Sequence, residues 1–262
     1  MTQPLQGKTI IVTGASSGIG AATAALVQAQ GAQVISVDIM APKSPVGTFL
    51  QADLGDRASI DALVRKLPKG AHGLASVAGL PPTRPAEQVL KVNLVGLKYL
   101  TTQVVPGLAD GASIVNLASL AGLGWPQAKE AIDASANLDF PDAAAFCAKH
   151  GIEGARSYFF SKEALIVWTM QNRWTWRARG IRMNAVSPGP VDTPILKDFL
   201  ETLGARAEED ARVMDRPGTP ADIAPVVAFL LSDASGWIRG ANLPVDGGMY
   251  SHVLCQMHGY QA

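Results

Sequence analysis

Residues 8–31 read KTIIVTGASSGIGAATAALVQAQG, and this stretch decides the fold. KTIIVTG (8–14) is a short apolar run of the kind that makes a buried strand. GIGAATAALVQAQG (18–31) is long enough for a helix, and Gly31 closes it. The glycine-rich turn TGASSGIG (13–20) lies between them, which is the context that gives such a motif meaning. Gly14 permits a sharp turn, Gly18 lets a pyrophosphate approach, and Gly20 lets helix and strand pack closely. The helix N-terminus, with free N–H groups and the positive end of its dipole, is suited to an anion. The spacing is GxxxGxG rather than GxGxxG.

Working outward, the same rhythm recurs. QVISVDI (33–39), TFLQADL (48–54), GLASVAG (73–79), ASIVNLAS (112–119), IRMNAVSPG (181–189) and GANLPVDGG (240–248) read as strands. Helical patterns fall near 56–67, 86–107, 158–179 and 219–233, the last despite Pro225. Continuous apolar strands alternating with helices predict an α/β chain: a Rossmann-type, doubly wound parallel sheet with helices on both faces. Ligands of such sheets bind at the carboxyl ends of the strands. No linker or shift in composition divides the 262 residues, so a single domain is expected. Residues 193–216, including RAEEDAR, read as a surface helix pair or flap over the substrate.

Lys plus Arg equals Asp plus Glu at 22 each, which gives no net pull toward nucleic acid or anionic lipid. Cys147 and Cys255 are isolated, so neither a disulfide framework nor a metal-ligand spacing follows. His252 and His258 are spaced so that they do not share a helix face, and no metal is expected. No basic segment followed by an apolar stretch opens the chain, and nowhere do about 18 apolar residues run together. A cytoplasmic protein without membrane or nucleic-acid partners is the expectation.

Chemistry-bearing residues lie where that sheet would gather them. Asp38 ends the second strand close to the roughly 20-residue offset expected of a ribose-binding acid. Its carboxylate would accept from a ribose diol and repel a 2′-phosphate, and Ile39, Met40 and Ala41 supply no cation, so NAD is favoured over NADP. Asp53, ending the third strand, could accept from the adenine amino group. In RSYFFSKEAL (156–165), Tyr158 and Lys162 share a helix face. A nearby ammonium favours the phenolate, which would suit Tyr158 to exchange a proton with an alcohol or carbonyl. Ser119, at a strand carboxyl edge, could hydrogen-bond the substrate oxygen. Asn93 would be a buried amide in need of partners, either holding a water that relays protons from Lys162 or satisfied within the core.

Together, TGASSGIG, Asp38, VAG (77–79), Asn93, Ser119, Tyr158-x-x-x-Lys162, SPG (187–189) and the late VDGG resemble the short-chain dehydrogenase/reductase family, in family order over roughly residues 5–250. The resemblance implies a catalytic tetrad of Asn93, Ser119, Tyr158 and Lys162, with Lys162 also binding the nicotinamide ribose. It implies Gly79 on the adenosine side, Pro188, Gly189 and Val191 along the nicotinamide, and Thr193 on the diphosphate. Ser17, Ile19, Leu54 and Ala78 complete the implied cofactor contacts. It also implies a homodimer or homotetramer.

The chain departs from the family pattern in two places. SVAG (76–79) stands where NNAG is usual, and Ser119 precedes Tyr158 by 39 positions, far more than members usually show. Residues from about 124 to 156 therefore read as an insertion, two short helices beginning at PQAKEAIDASAN and PDAAAFCAKHG. As a lid, Leu123, Trp125, Phe140 and Phe146 would wall a bulky substrate; as an interface element, the insertion would cover or replace the helices through which members associate. Relatives acting on steroid or aryl-propenyl alcohols carry insertions here, so the resemblance points to an NAD-dependent dehydrogenase of a bulky apolar alcohol. Alternatives are a reductase of another cyclic ketone, an epimerase or dehydratase, and a non-catalytic NAD sensor.

Overall fold

The computed structural model describes residues 3–203 and 213–260. Its centre is β1 (Thr9–Thr13), whose Ile10, Ile11 and Val12 are fully buried because helices cover both faces of the sheet. β2 (Gln33–Asp38), β3 (Thr48–Gln51), β4 (Ala71–Ser76), β5 (Leu108–Leu117), β6 (Arg182–Pro188) and β7 (Asn242–Val245) complete it. All pairings are parallel, in the order β3-β2-β1-β4-β5-β6-β7. The order reverses between β1 and β4, and a crevice opens at the strands' carboxyl ends there.

One face packs α1 (Gly18–Ala29) and Pro220–Leu231 through Ala24, Val27, Ile223 and Val227 against Ile10, Val12 and Val34. The other carries α2 (Arg57–Lys66), whose Ile60 and Leu63 meet Ile11 and Leu74. Asp56 starts α2 by accepting from the Ala58 and Ser59 N–H groups, two donors otherwise orphaned.

The single helix expected over 86–107 is three pieces: α3 (Ala86–Leu90), a π turn (Lys91–Gly96) and α4 (Leu97–Val104). The wide turn brings Gly96 so close to the Leu54 carbonyl that any Cβ would collide with it. A π turn inside a helix commonly marks a functional site, and Asn93 lies in this one.

Between β5 and the next long helix, Leu120–Ala128 winds as a 3₁₀ segment, followed by α5 (Lys129–Ala134) and α6 (Ala143–Lys149). Phe140 and Phe146 do not form a substrate wall. Phe140 packs edge-on to Tyr99 at 5.9 Å between ring centres, and Phe146 packs on Phe160 at 5.6 Å, both in the core. Apolar side chains that can reach a core bury there in preference to a wet cleft, so this segment is fastened to the body of the fold.

α7 (Ala155–Gln171) begins one turn before Tyr158, and the expected helix end at 179 is replaced by 3₁₀ turns at 172–174 and 177–179. α8 (Leu196–Leu203) is the first part of the expected flap; residues 204–212, with all of RAEEDAR, lie outside the described residues. Pro220–Leu231 is α9, held at its start by reciprocal bonds between Thr219 and Asp222, and Met249–Met257 is α10. No described helix is long and apolar enough to cross a membrane.

Candidate active site

The glycine turn builds one end of the crevice. Gly14 has φ +70° and a Cβ there would come within 2.8 Å of Ala78, while Gly18 has φ +52° and faces Thr193. A Cβ on Gly20 would strike the Gly14 carbonyl, so this glycine sets how closely α1 meets β1. Thr13 Oγ1 accepts from the Val77 and Ala78 N–H groups at 3.0 and 3.1 Å, tying the end of β4 to the turn.

The crevice has a cavity volume of about 810 Å³. It is lined by Gly14, Ser17, Gly18, Ile19, Gly20, Asp38, Asp53, Leu54, Ala78, Gly79, Ser119, Tyr158, Lys162, Pro188, Gly189, Val191 and Thr193. Every catalytic and cofactor-binding residue expected of the site is therefore in one cavity except Asn93, whereas Leu123 and Trp125 of the inserted stretch do not line it.

The Asn93 side chain is fully buried and committed elsewhere. Its Oδ1 accepts from Leu80 N–H at 2.7 Å, and its Nδ2 donates to the Leu80 carbonyl at 3.0 Å and to Ser161 Oγ at 3.4 Å. Of the two readings open from the sequence, the side chain matches the satisfied amide: it clamps the chain leaving β4. Gly79 also departs from expectation. A Cβ on it would lie 3.9 Å from Lys162 Nζ, which puts this glycine at the Tyr158 end of the cavity rather than the Asp38 end.

Asp38 ends β2 and is held by two backbone donors, Ser16 N at 3.0 Å to Oδ2 and Met40 N at 3.3 Å to Oδ1. Two oxygens retain acceptor capacity toward the cavity. Asp53 lies two residues past β3, with Oδ1 accepting from Gly55 N–H at 2.7 Å.

Ser119 also lies two residues past its strand, because β5 ends at Leu117. It starts the 3₁₀ segment, and its Oγ accepts from Ala121 N–H at 3.2 Å. Two glycines let that segment lie directly on α7: a Cβ on Gly122 would come within 2.9 Å of the Lys162 carbonyl, and one on Gly124 within 2.8 Å of Glu163 Oε1. The serine is thereby set beside the Tyr158 hydroxyl, close enough to favour its ionised form.

Lys162 Nζ sits 5.4 Å from the Tyr158 ring centre and donates to the Leu117 carbonyl at 2.7 Å. The expected drop in the Tyr158 pKa beside this ammonium is not what the geometry produces. Burial pushes the phenol up to about 12, against a smaller opposing effect of the Ser119 hydrogen bond, and burial pulls Lys162 down to about 8. Desolvation disfavours both charged forms and is the main cause of both shifts.

The sequence reading missed the apolar wall. It comes from α8 and the turn before it, with Ile195, Leu196 and Phe199 facing Leu80, Leu120 and Phe159. The Phe199 ring meets the Tyr158 ring edge-on at 4.7 Å between centres. Leu196, Phe199, Leu200 and Leu203 recur at helical spacing, a signal available in the sequence. Arg84, Gln88 and Lys91 add polar groups to the lining and carried no such signal. Among the described residues no cluster of potential metal ligands occurs.

Comparison with known proteins agrees with this arrangement. The short chain dehydrogenase family model matches residues 8–131, and the Enoyl-(Acyl carrier protein) reductase model matches 143–250. The chain is 40% identical to a coniferyl-alcohol dehydrogenase of Pseudomonas sp. strain HR199, over 94% of this chain and 98% of the relative. It is 31% identical to a 3-alpha-hydroxysteroid dehydrogenase/carbonyl reductase of Comamonas testosteroni, over 92% and 95%. The crystal structure of a 3-alpha-hydroxysteroid dehydrogenase from Pseudomonas sp. B-0831, complexed with NADH, superposes with TM-score 0.81 at 26% identity, covering 97% of this chain and all of that one.

Proposed function

The chain belongs to the short-chain dehydrogenase/reductase family, and we propose that it is an NAD-dependent dehydrogenase interconverting a bulky apolar alcohol, aryl or steroid, with its carbonyl. The family is one of oxidoreductases that use a nicotinamide cofactor. One observation carries the reading: a phenol, its hydroxyl partner and a buried amine on α7 and the end of β5 border the same cavity as the glycine turn and Asp38.

The residues present fit a dinucleotide. Neither a side-chain cap nor an acidic residue occupies the first turn of α1, so its N–H groups are open to an anion. Asp38 presents a carboxylate to the cavity and residues 39–41 carry no cation, which favours a ribose diol over a 2′-phosphate. Bound NAD would supply the hydride acceptor.

The chain's own groups account for the rest. Ser119 Oγ orients the substrate oxygen beside the Tyr158 hydroxyl, and Tyr158 takes the alcohol proton on oxidation or returns it on reduction. Lys162, anchored to Leu117, would hold the nicotinamide ribose of a bound cofactor and would favour the phenolate as it forms. Asn93 keeps Leu80 in place, and Ile195, Leu196 and Phe199 exclude water and select apolar substrates. The similarity to a coniferyl-alcohol dehydrogenase and a hydroxysteroid dehydrogenase supports that substrate class.

The deciding experiment follows NADH absorbance across a panel of aryl, steroid and alicyclic alcohols. Turnover is expected with aryl or steroid alcohols and NAD. NADH binding with no oxidation of any alcohol, nor reduction of the matching ketones, would overturn the reading.

A further inference from the structure

Among the described residues, little ties α8 to the rest of the fold. Its backbone bonds stay within its own turns: Leu196 N–H donates to Thr193 and Phe199 N–H to Ile195. Lys197 and Glu201 face each other in solvent at 3.9 Å, and Thr202 Oγ1 donates back to the Asp198 carbonyl. Among the described residues, a single hydrogen bond ties α8 to another part of the fold, Thr83 Oγ1 donating to Asp198 Oδ1 at 2.7 Å.

Thr83 is a fixed post. It lies in the short loop LPPTRP (80–85), where three prolines lock φ and Pro81 and Pro82 are buried. Leu80, at the root of that loop, is gripped on both its N–H and its carbonyl by the buried Asn93 amide. One residue after Asp198 comes Phe199, whose ring rests on Tyr158. A continuous chain of contacts thus runs from Asn93 through Leu80, Thr83 and Asp198 to the ring that covers the phenol.

We propose that Thr83 and Asp198 are positioning residues: their hydrogen bond seats α8 so that Phe199 closes over Tyr158, and this seat sets how large an alcohol the site accepts. The inference rests on the dehydrogenase reading for its kinetic consequence, and on geometry alone for the seat itself. It also gives Asn93 a second task, holding the loop from which the flap is hung.

Thr83→Val keeps the shape of the side chain and removes the donor, Thr83→Ser restores it, and Asp198→Ala removes the acceptor. The ligand-free protein is compared first by amide hydrogen exchange over residues 196–203. Thr83→Val and Asp198→Ala should each quicken exchange there by about three- to tenfold, the double variant no more than either, and Thr83→Ser should match the wild type. With NAD and an aryl alcohol, the two deleting variants should raise KM by a similar factor while kcat and NAD affinity stay within about twofold. Their relative preference for larger alcohols should rise.

Wild-type exchange in both deleting variants would overturn the proposal, and so would quickened exchange with unchanged KM and unchanged size preference. A wild-type protein inactive on every alcohol would sink the dehydrogenase reading instead. The exchange comparison needs no substrate and would then decide the seat of α8 by itself.

Discussion

Lys162 Nζ donates to the Leu117 carbonyl at 2.7 Å, so the ammonium is fastened to the end of β5 rather than to the phenol one turn before it on α7. The same short peptide stretch leads to Ser119, whose hydroxyl lies beside that of Tyr158. One strand end thus fixes both neighbours of the phenol, and the pair on the helix works only because the sheet holds it.

Tyr158 is pushed up to about 12 by burial, so in the ligand-free protein it stays protonated where an ordinary phenol, near 10, is half ionised. A positive nicotinamide ring nearby favours the anion. The difference in phenolate absorbance between wild type and Tyr158→Phe should therefore be small at pH 10 without NAD and grow when NAD is added. Tyr158→Phe should also lower turnover by at least about a thousandfold while NAD affinity stays within about threefold. A full phenolate difference at pH 10 in the free protein would show that the ring is hydrated.

Lys162 is held down to about 8 by burial, against 10.5 for an ordinary lysine. Across that window the unfolded chain binds a proton that the folded chain does not, so this group makes stability rise with pH between about 8 and 10.5, and its effect levels off below about 8. Tyr158 acts the other way only above about 10, where the unfolded phenol ionises first. Between about pH 8 and 9.5, Lys162→Met should flatten the rise of urea stability with pH seen in the wild type. Parallel slopes for the two proteins would mean that the amine is solvated.

Asp38 is placed by Ser16 and Met40 N–H groups with oxygen left over for a ribose diol, and no cation stands on the next three residues. Asp38→Ala removes an acceptor for NAD and a repulsion for NADP. The ratio of kcat/KM for NAD over NADP should fall by at least about tenfold, roughly what one charged hydrogen bond supplies. A wild-type preference for NADP would contradict the assignment outright.

Gly20 is the tightest point of the turn, since a Cβ there meets backbone rather than a yielding side chain. Gly20→Ala should destabilise the fold by about 2 kcal/mol or more and abolish the rise in Tm that NAD gives the wild type. Gly107→Ala, where a Cβ would meet nothing within 4 Å, is the control and should melt close to wild type.

Much of this was legible in residue order. The alternation of apolar strands and helices gave the parallel sheet, and the glycine turn, Asp38, Ser119, Tyr158 and Lys162 are recognisable by type and spacing because each has a local job. Other features were not. The role of Phe140 and Phe146 could not be read from their position in the inserted stretch, because an aromatic ring near catalytic residues in sequence can face a cleft or a core equally well. Phe199 carried a helical pattern but no sign of which ring it would meet. Asn93 read as a buried amide with two possible tasks, and only its partners distinguish them.

Residue order by itself determined the sheet, the glycine turn and the kinds of side chain that meet in the cavity, since periodicity and glycine placement act over a few residues. Folding alone decided that burial sets the protonation of Tyr158 and Lys162, that the inserted segment joins the core, and that α8 hangs from Thr83. Those outcomes depend on which surfaces come together over long stretches of chain, and desolvation and contact have no value until they do.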